Sequence, residues 1–117
     1  DLIRPSMYDS WHGIVPLSPI AAKAATSPAD IVGPVCESGD TFARGRNLPD
    51  VAAGDFVALL DAGAYGAVMS STYNARPFAA AAMVDGERWA TIRDRQTHRA
   101  LWAGEHVPDF VRADFLR

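Results

Sequence analysis

Cysteine and lysine are nearly absent from this sequence of 117 residues, which contains one of each, Cys36 and Lys23. A single cysteine excludes a disulfide within the chain and favours a reducing compartment such as the cytoplasm. The three histidines, His12, His98 and His106, show no metal-ligand spacing, and no further cysteine joins them. A metal site is therefore not expected.

The sequence also lacks a basic block and a long apolar run. The formal net charge is −3, whereas sequence-independent binding to nucleic acid requires a basic surface. No uncharged apolar stretch approaches the ~18 residues that indicate a transmembrane helix. With 49% hydrophobic and 21% charged residues, the composition is that of an ordinary globular protein. We expect a cytoplasmic location, with neither nucleic acid nor membrane as a partner.

Proline and glycine divide the chain into short segments, most of which have strand character. Residues 2–7 are predicted to be extended, because Pro5 biases Arg4 toward β or polyproline geometry. Strands are predicted at 14–20, 30–36 and 56–60, with the last as the most buried. A polar loop is predicted at 42–50.

Asp85-Gly86 lies between apolar-rich runs and predicts a β-hairpin with positive φ at both turn positions. One helical turn is predicted at 67–71, and a short helix at 95–104, with Asp94 as N-cap and Gly104 just beyond its end. Together these elements predict a mainly β fold, a β-sandwich or small Greek-key barrel with one or two short helices. Residues 1–117 are expected to form one domain. Because the chain opens on Asp1 rather than on methionine, we expect it to be part of a longer protein.

The run Cys36-Glu37-Ser38-Gly39-Asp40, which follows Gly33-Pro34, carries the clearest chemical signal. A thiol beside a carboxylate suits a group that hands a proton to a carbanion, because the two together set the local charge and proton supply. The alternative is a lone core cysteine followed by a polar turn, since cysteine is among the most buried residue types. Asp40 is expected to brace the turn rather than to touch a substrate.

Four motifs occur in the order and at the spacing of one enzyme family. The chain resembles the C-terminal domain of the diaminopimelate decarboxylases, pyridoxal-phosphate enzymes of fold type III. The resemblance covers nearly the whole chain and is strong to Ile92. The motifs are Arg4-Pro5-Ser6-Met7-Tyr8, Gly33-Pro34-Val35-Cys36-Glu37-Ser38-Gly39-Asp40, Gly63-Ala64-Tyr65-Gly66 and Ser71-Thr72-Tyr73-Asn74-Ala75-Arg76-Pro77.

The resemblance implies a two-domain enzyme of which this chain is one domain. In that family, a TIM-like barrel carries the Schiff-base lysine, and the β-rich C-terminal domain completes the active site across a homodimer interface. The implied cofactor is pyridoxal 5′-phosphate. The implied reaction converts meso-2,6-diaminopimelate into L-lysine and carbon dioxide, the last step of lysine biosynthesis. Lys23 lies outside every motif, so the chain alone is expected to be inactive.

The resemblance also assigns roles to five residues. Cys36 corresponds to the proton donor, which acts at the neighbouring subunit's cofactor. Arg4 and Tyr8 correspond to residues that bind the distal amino-acid end of the substrate, and Glu37 to the residue that contacts its distal ammonium group. Tyr65 corresponds to the tyrosine that reaches both the cofactor phosphate and the substrate. A guanidinium fork for the distal carboxylate and a carboxylate for the distal ammonium suit this substrate.

Two alternatives stay open. The chain could be the same domain of an ornithine, arginine or carboxynorspermidine decarboxylase, although the ornithine and arginine enzymes tend to have Cys-Asp where this chain has Cys36-Glu37. It could also be a stand-alone β domain for binding or assembly, with the motifs as relics. The presence of thiol, carboxylate, arginine and both tyrosines speaks against the second alternative.

Overall fold

The computed structural model describes residues 3–18 and 25–111, so Lys23 and the end of the strand predicted at 14–20 lie outside the described residues. The chain divides into two compact units, Asp1–Asn74 and Ala75–Arg117. Among the described residues, six strands form three two-stranded antiparallel sheets. The described residues include no helix that is long and apolar enough to cross a membrane.

The first unit begins with a 3₁₀ turn at Pro5–Tyr8, which we call the N-terminal turn. Its strands follow in two antiparallel pairs: β1 (Ile14–Pro16) with β4 (Val57–Leu59), and β2 (Thr26–Val32) with β3 (Thr41–Pro49). A further 3₁₀ turn lies at Ala67–Met69, and a tight turn with positive φ at Asn74 and Ala75 lies at Tyr73–Ala75, where the two units meet in the sequence. The predicted mainly β fold with few short helices is confirmed, as is the helical turn predicted at 67–71.

The polar loop predicted at 42–50 is wrong, because the nine residues of β3 lie there. A β-bulge explains the error. The register of β2 against β3 shifts around Asp30, which faces two residues, Arg44 and Gly45. Gly45 has φ 55, the left-handed conformation typical of a G1 bulge, and its N–H donates to Asp30 Oδ1 at 2.7 Å. The glycine between two arginines therefore marks an extra residue within a strand.

The core of the first unit is small and is formed by residues far apart in the chain. The buried hydrophobic residues among those described are Ile14, Val35 and Leu48. The segment 56–60 is not the buried strand that the sequence predicts, since Phe56 is 74% exposed. An apolar run shows that a strand can form, but it does not show which of its faces another element covers.

Among its described residues, the second unit contains a β-hairpin, one turn of α-helix and a short helical segment at 109–111. β5 (Ala81–Asp85) pairs with β6 (Arg88–Arg93), which confirms the predicted hairpin. Asp85 pairs with Arg88, so the two-residue loop is Gly86-Glu87, and positive φ occurs at Gly86 but not at Glu87. Glycine at the first loop position is typical of a type II′ turn, which needs only that one left-handed residue.

The helix predicted at 95–104 is reduced to α1 (His98–Leu101). Thr97 rather than Asp94 is its N-cap, because the Thr97 hydroxyl accepts a hydrogen bond from the N–H of Ala100 at 3.2 Å. An N-cap side chain accepts a hydrogen bond from a backbone N–H in the first turn that has no partner within the helix, and Thr97 makes this bond. Gly104 therefore lies beyond the helix without ending it.

Candidate functional site

Residues 33–40, which we call the 33–40 loop, connect β2 to β3 and are closed by Asp40. β2 ends at Val32, so Cys36 lies within this loop rather than at the end of a strand extending over 30–36. The N–H of Gly33 donates to the Asp40 carbonyl oxygen at 2.8 Å, and the N–H of Asp40 donates to the Glu37 carbonyl oxygen at 2.9 Å. The Asp40 carboxylate also accepts the N–H of Val35 through Oδ2 at 2.8 Å. One aspartate therefore binds the loop at three points.

Asp40 can occupy this position because residue 33 is glycine. Asp40 is only 2% exposed. A Cβ at residue 33 would lie well under 3.0 Å from both carboxylate oxygens of Asp40, a separation that real Cβ atoms do not show. Gly33 is thus required for close approach to the carboxylate. The sequence-based expectation that Asp40 braces the turn agrees with this geometry.

The thiol of Cys36 is exposed at the surface of the 33–40 loop. A core cysteine, the alternative raised by the sequence, does not fit this position. The residue before it, Val35, is buried and anchors the loop to the core. The loop thus presents the thiol outward while holding the backbone on one side of it in place.

Glu37 lies beside Arg4, which comes from a separate segment of the chain. Arg4 Nε is 3.4 Å from Glu37 Oε2, and the two side chains are 32% and 29% exposed. The other carboxylate oxygen, Oε1, accepts the N–H of Gly39 at 2.8 Å. Arg4 Nε and Glu37 Oε2 are both buried atoms with no hydrogen bond to the residues that the structure describes, so their contact is an ion pair that lacks hydrogen-bond geometry. Both atoms therefore have hydrogen-bonding capacity that the described residues do not use.

The backbone at Arg4 is left-handed rather than extended. Arg4 has φ 50 and ψ 43 and immediately precedes the N-terminal turn, so the extended chain predicted for 2–7 is wrong from Arg4 onward, while residue 2 lies outside the described residues. Ser6 then connects this turn to the 33–40 loop, because its hydroxyl donates to the Gly39 carbonyl at 3.3 Å. The preference imposed by Pro5 on the preceding residue is overridden by these contacts.

Tyr8 and Tyr65, which are 57 positions apart in the sequence, stack loosely on each other. Their ring centroids are 5.5 Å apart, with the planes inclined at 42°. Tyr8 is 58% exposed and Tyr65 is 50% exposed, which leaves ring surface open to a ligand. Tyr65 has φ 54, an uncommon conformation for a residue with a side chain.

Gly66 makes the turn at Tyr65 possible. A Cβ there would lie well under 3.0 Å from the carbonyl oxygen of Ala62, which accepts the N–H of Ala67 at 2.7 Å. Gly63, in contrast, has open space around its missing Cβ. Close approach to the chain itself therefore occurs at Gly66, whereas the space beside Gly63 is open.

Replacing Gly66 by alanine should destabilise the protein and move Tyr65. Overpacking against fixed backbone costs about 1–3 kcal/mol, so the melting temperature should fall by several degrees. Thermal unfolding of the protein measures the effect. Gly63→Ala is the matched control, since its Cβ meets nothing within 4 Å. Equal melting temperatures for the two variants would contradict the assigned clash.

The structure thus brings the five sequence-predicted residues together in part. Arg4 pairs with Glu37, Cys36 is the neighbour of Glu37 in the chain, and Tyr8 stacks on Tyr65. Sequence reasoning did not identify Ser6 or Gly39 as connecting residues. In the sequence, both are simply small residues inside two of the motifs, and a small residue does not indicate that the two motifs are in contact.

Comparison with known proteins identifies the class of domain. Residues 1–89 match the family described as "Pyridoxal-dependent decarboxylase, C-terminal sheet domain", and the chain belongs to this family. Among curated relatives, the diaminopimelate decarboxylase of Zymomonas mobilis is 50% identical over 111 residues, covering 95% of this chain and 26% of the relative. That of Archaeoglobus fulgidus is 45% identical over 113 residues, with coverage of 94% and 26%.

Solved structures agree with these relatives. The diaminopimelate decarboxylase of M. jannaschii in complex with L-lysine superposes with a TM-score of 0.82 at 36% identity, over 94% of this chain and 25% of that one. The Helicobacter pylori enzyme complexed with L-lysine gives 0.78 at 40% identity, over 90% and 25%. The resemblance predicted from the motifs is confirmed. The chain spans about a quarter of the length of these relatives.

Proposed function

We propose that this chain is the C-terminal domain of a diaminopimelate decarboxylase, which converts meso-2,6-diaminopimelate into L-lysine and carbon dioxide. The observation that carries the proposal is the pair Arg4 and Glu37, two opposite charges held 3.4 Å apart by separate segments. The distal end of the substrate carries a carboxylate and an ammonium group on one carbon. Each of these groups has a partner of opposite charge in the pair.

Substrate recognition would proceed by exchange of ion pairs. The distal carboxylate would bind Arg4, and the distal ammonium would bind Glu37 through Oε2, the oxygen that Gly39 does not occupy. Tyr8 is more than half exposed, and its hydroxyl can add a directional hydrogen bond. An amine without a distal carboxylate, such as ornithine, would leave Arg4 with no anion to replace Glu37, and this disfavours the related decarboxylases.

The exposed Cys36 fits the role of proton donor. When carbon dioxide leaves, the α-carbon of the substrate must gain one proton, which the Cys36 thiol would supply before it is reprotonated from solvent. The family resemblance puts this step at the active site of the second subunit in a homodimer. The exposure of Cys36 supports the proposal, because a thiol that serves another subunit must reach the surface.

Pyridoxal phosphate, when bound, supplies the electron sink for the bond that breaks. The residues present fit one part of its binding. Tyr65 is half exposed, and the space beside Gly63 is open, so the Tyr65 hydroxyl can donate to a phosphate oxygen. The covalent attachment to lysine belongs to the barrel domain of the proposed whole enzyme.

The test compares the activity of the full-length protein with that of this chain alone. We expect the full-length protein to release carbon dioxide from meso-diaminopimelate in preference to ornithine and arginine. The 117-residue chain alone should be inactive and should carry no cofactor on Lys23 after borohydride treatment, as read by peptide mass spectrometry. Preferential turnover of ornithine or arginine would support a related decarboxylase. No turnover of any amino acid by the cofactor-loaded protein would support a binding or assembly domain.

A further inference from the structure

Asp40 holds the backbone on both sides of Cys36. Its carboxylate Oδ2 accepts the N–H of Val35, the residue before the cysteine, at 2.8 Å. Its own N–H donates to the carbonyl oxygen of Glu37, the residue after the cysteine, at 2.9 Å. The direction of the Cys36 thiol therefore depends on a residue that is four positions away in the sequence.

The side-chain bond from Asp40 is buried, which makes it hard to replace. Asp40 is 2% exposed and Val35 is 8% exposed, so water cannot readily take over the N–H of Val35. A buried donor that loses its acceptor bears the full desolvation penalty. Removing the Asp40 carboxylate should therefore free the segment around Cys36 rather than leave it in the same conformation.

The negative charge of Asp40 is not used by the described residues. Oδ1 is buried and has no hydrogen-bond partner among them. An asparagine at this position could still accept the N–H of Val35 through its amide oxygen, and it would remove a buried charge. The two functions of the side chain, hydrogen bonding and charge, can thus be separated by comparing asparagine with alanine.

We propose that Asp40 is the positioning residue for Cys36, acting through the hydrogen bond from Val35 and not through its charge. The kinetic part of this proposal rests on the function proposed above, because the direction of the Cys36 thiol affects the rate only if Cys36 delivers a proton. Its structural part stands on the geometry of the 33–40 loop alone. Gly33 belongs to the same arrangement, since only a residue without a Cβ leaves room for the carboxylate.

The structural part is tested by the alkylation rate of Cys36 in the full-length protein, measured with iodoacetamide and peptide mass spectrometry. We expect Asp40→Ala to raise this rate by about fivefold, the factor that a typical hydrogen bond represents. Asp40→Asn should stay within about twofold of the wild-type rate. Asp55→Ala is the matched control, because Asp55 accepts the N–H of Ala52 at 2.8 Å in an exposed turn, and its loss should leave Cys36 unchanged.

The kinetic part is tested with the same variants. Asp40→Ala should lower kcat for meso-diaminopimelate by about 10–100-fold, because small displacements of a reacting group have effects of this size. Asp40→Asn should retain most of the wild-type kcat, and Asp55→Ala should leave kcat unchanged. If Cys36→Ala itself leaves kcat unchanged, the function proposed for Cys36 fails, while the alkylation result still decides whether Asp40 positions it.

Two outcomes would overturn the proposal. An unchanged alkylation rate in folded Asp40→Ala would show that the loop does not depend on Asp40. Asparagine behaving like alanine in both measurements would show that the charge matters, through a cation outside the described residues. If Asp40→Ala does not fold, Gly33→Ala tests the same bond by displacing the carboxylate, with Gly104→Ala as a glycine control in open space; an unchanged alkylation rate in Gly33→Ala would likewise overturn it.

Discussion

Replacing Cys36 by alanine in the full-length protein should lower kcat for meso-diaminopimelate by about 10²–10⁴-fold, the usual contribution of a general acid. The reason is that the α-carbon would have to take its proton from water after carbon dioxide leaves. KM should stay within about threefold, since no interaction with the bound substrate is removed. Steady-state kinetics with carbon dioxide release as the readout measures both quantities.

A complementation experiment tests whether the donor acts across subunits. Chains with Cys36→Ala are mixed with chains whose cofactor-bearing lysine is replaced. If each site combines the lysine of one subunit with Cys36 of the other, the heterodimer contains one intact site and activity returns. Wild-type kcat in Cys36→Ala, or no recovery in heterodimers verified by mass spectrometry, would reject this role.

Arg4→Ala should weaken recognition of the distal carboxylate and lower kcat/KM for meso-diaminopimelate. Truncating one partner of a buried charge pair costs about 2–5 kcal/mol. Because the Arg4 side chain is 32% exposed, we expect the low end, about 2 kcal/mol or about 30-fold. The loss should fall mainly on KM. Discrimination against lysine-like analogues that lack the distal carboxylate should decline in parallel.

Two further variants isolate the role of the charge at position 4. Arg4→Gln keeps a long polar side chain and the same left-handed backbone strain, and it should resemble Arg4→Ala if the charge is what matters. Arg44→Ala is the matched control: Arg44 pairs with Asp30 at 4.0 Å, and its side chain is 71% exposed. Exposed pairs of this kind contribute about 1 kcal/mol or less. Unchanged selectivity in Arg4→Ala would place Arg4 outside the substrate site.

Local sequence signals predicted the hairpin correctly, because a turn with a left-handed residue is specified by the glycine itself. Gly86 adopts φ 60, as its position between β5 and β6 requires. The same logic failed at Gly45, where a left-handed glycine serves a bulge within β3 instead of a loop. A glycine thus marks a backbone conformation, and the partner strand decides which element contains it.

The candidate site shows a similar limit. Its residue types could be read from the motifs, but the pairing of Arg4 with Glu37 spans 33 positions, as does the Ser6 to Gly39 contact beside it. The left-handed conformation of Arg4 opposes the local preference imposed by Pro5, so no local rule could have predicted it. Contacts between distant segments determine such positions, and a single sequence does not encode them in any short pattern.

The pairing of strands by twos has a consequence for the two-domain enzyme proposed above. A strand with one neighbour has a second edge that pairs with no strand, and the six described strands each have such an edge within the described sheets. Another chain can pair with an open strand edge, and native proteins commonly cover such edges with a helix or a loop. The relatives are about four times as long as this chain, so the other domain of the enzyme proposed above would have ample length to supply the covering strands or loops. In isolation, the same edges would invite self-association.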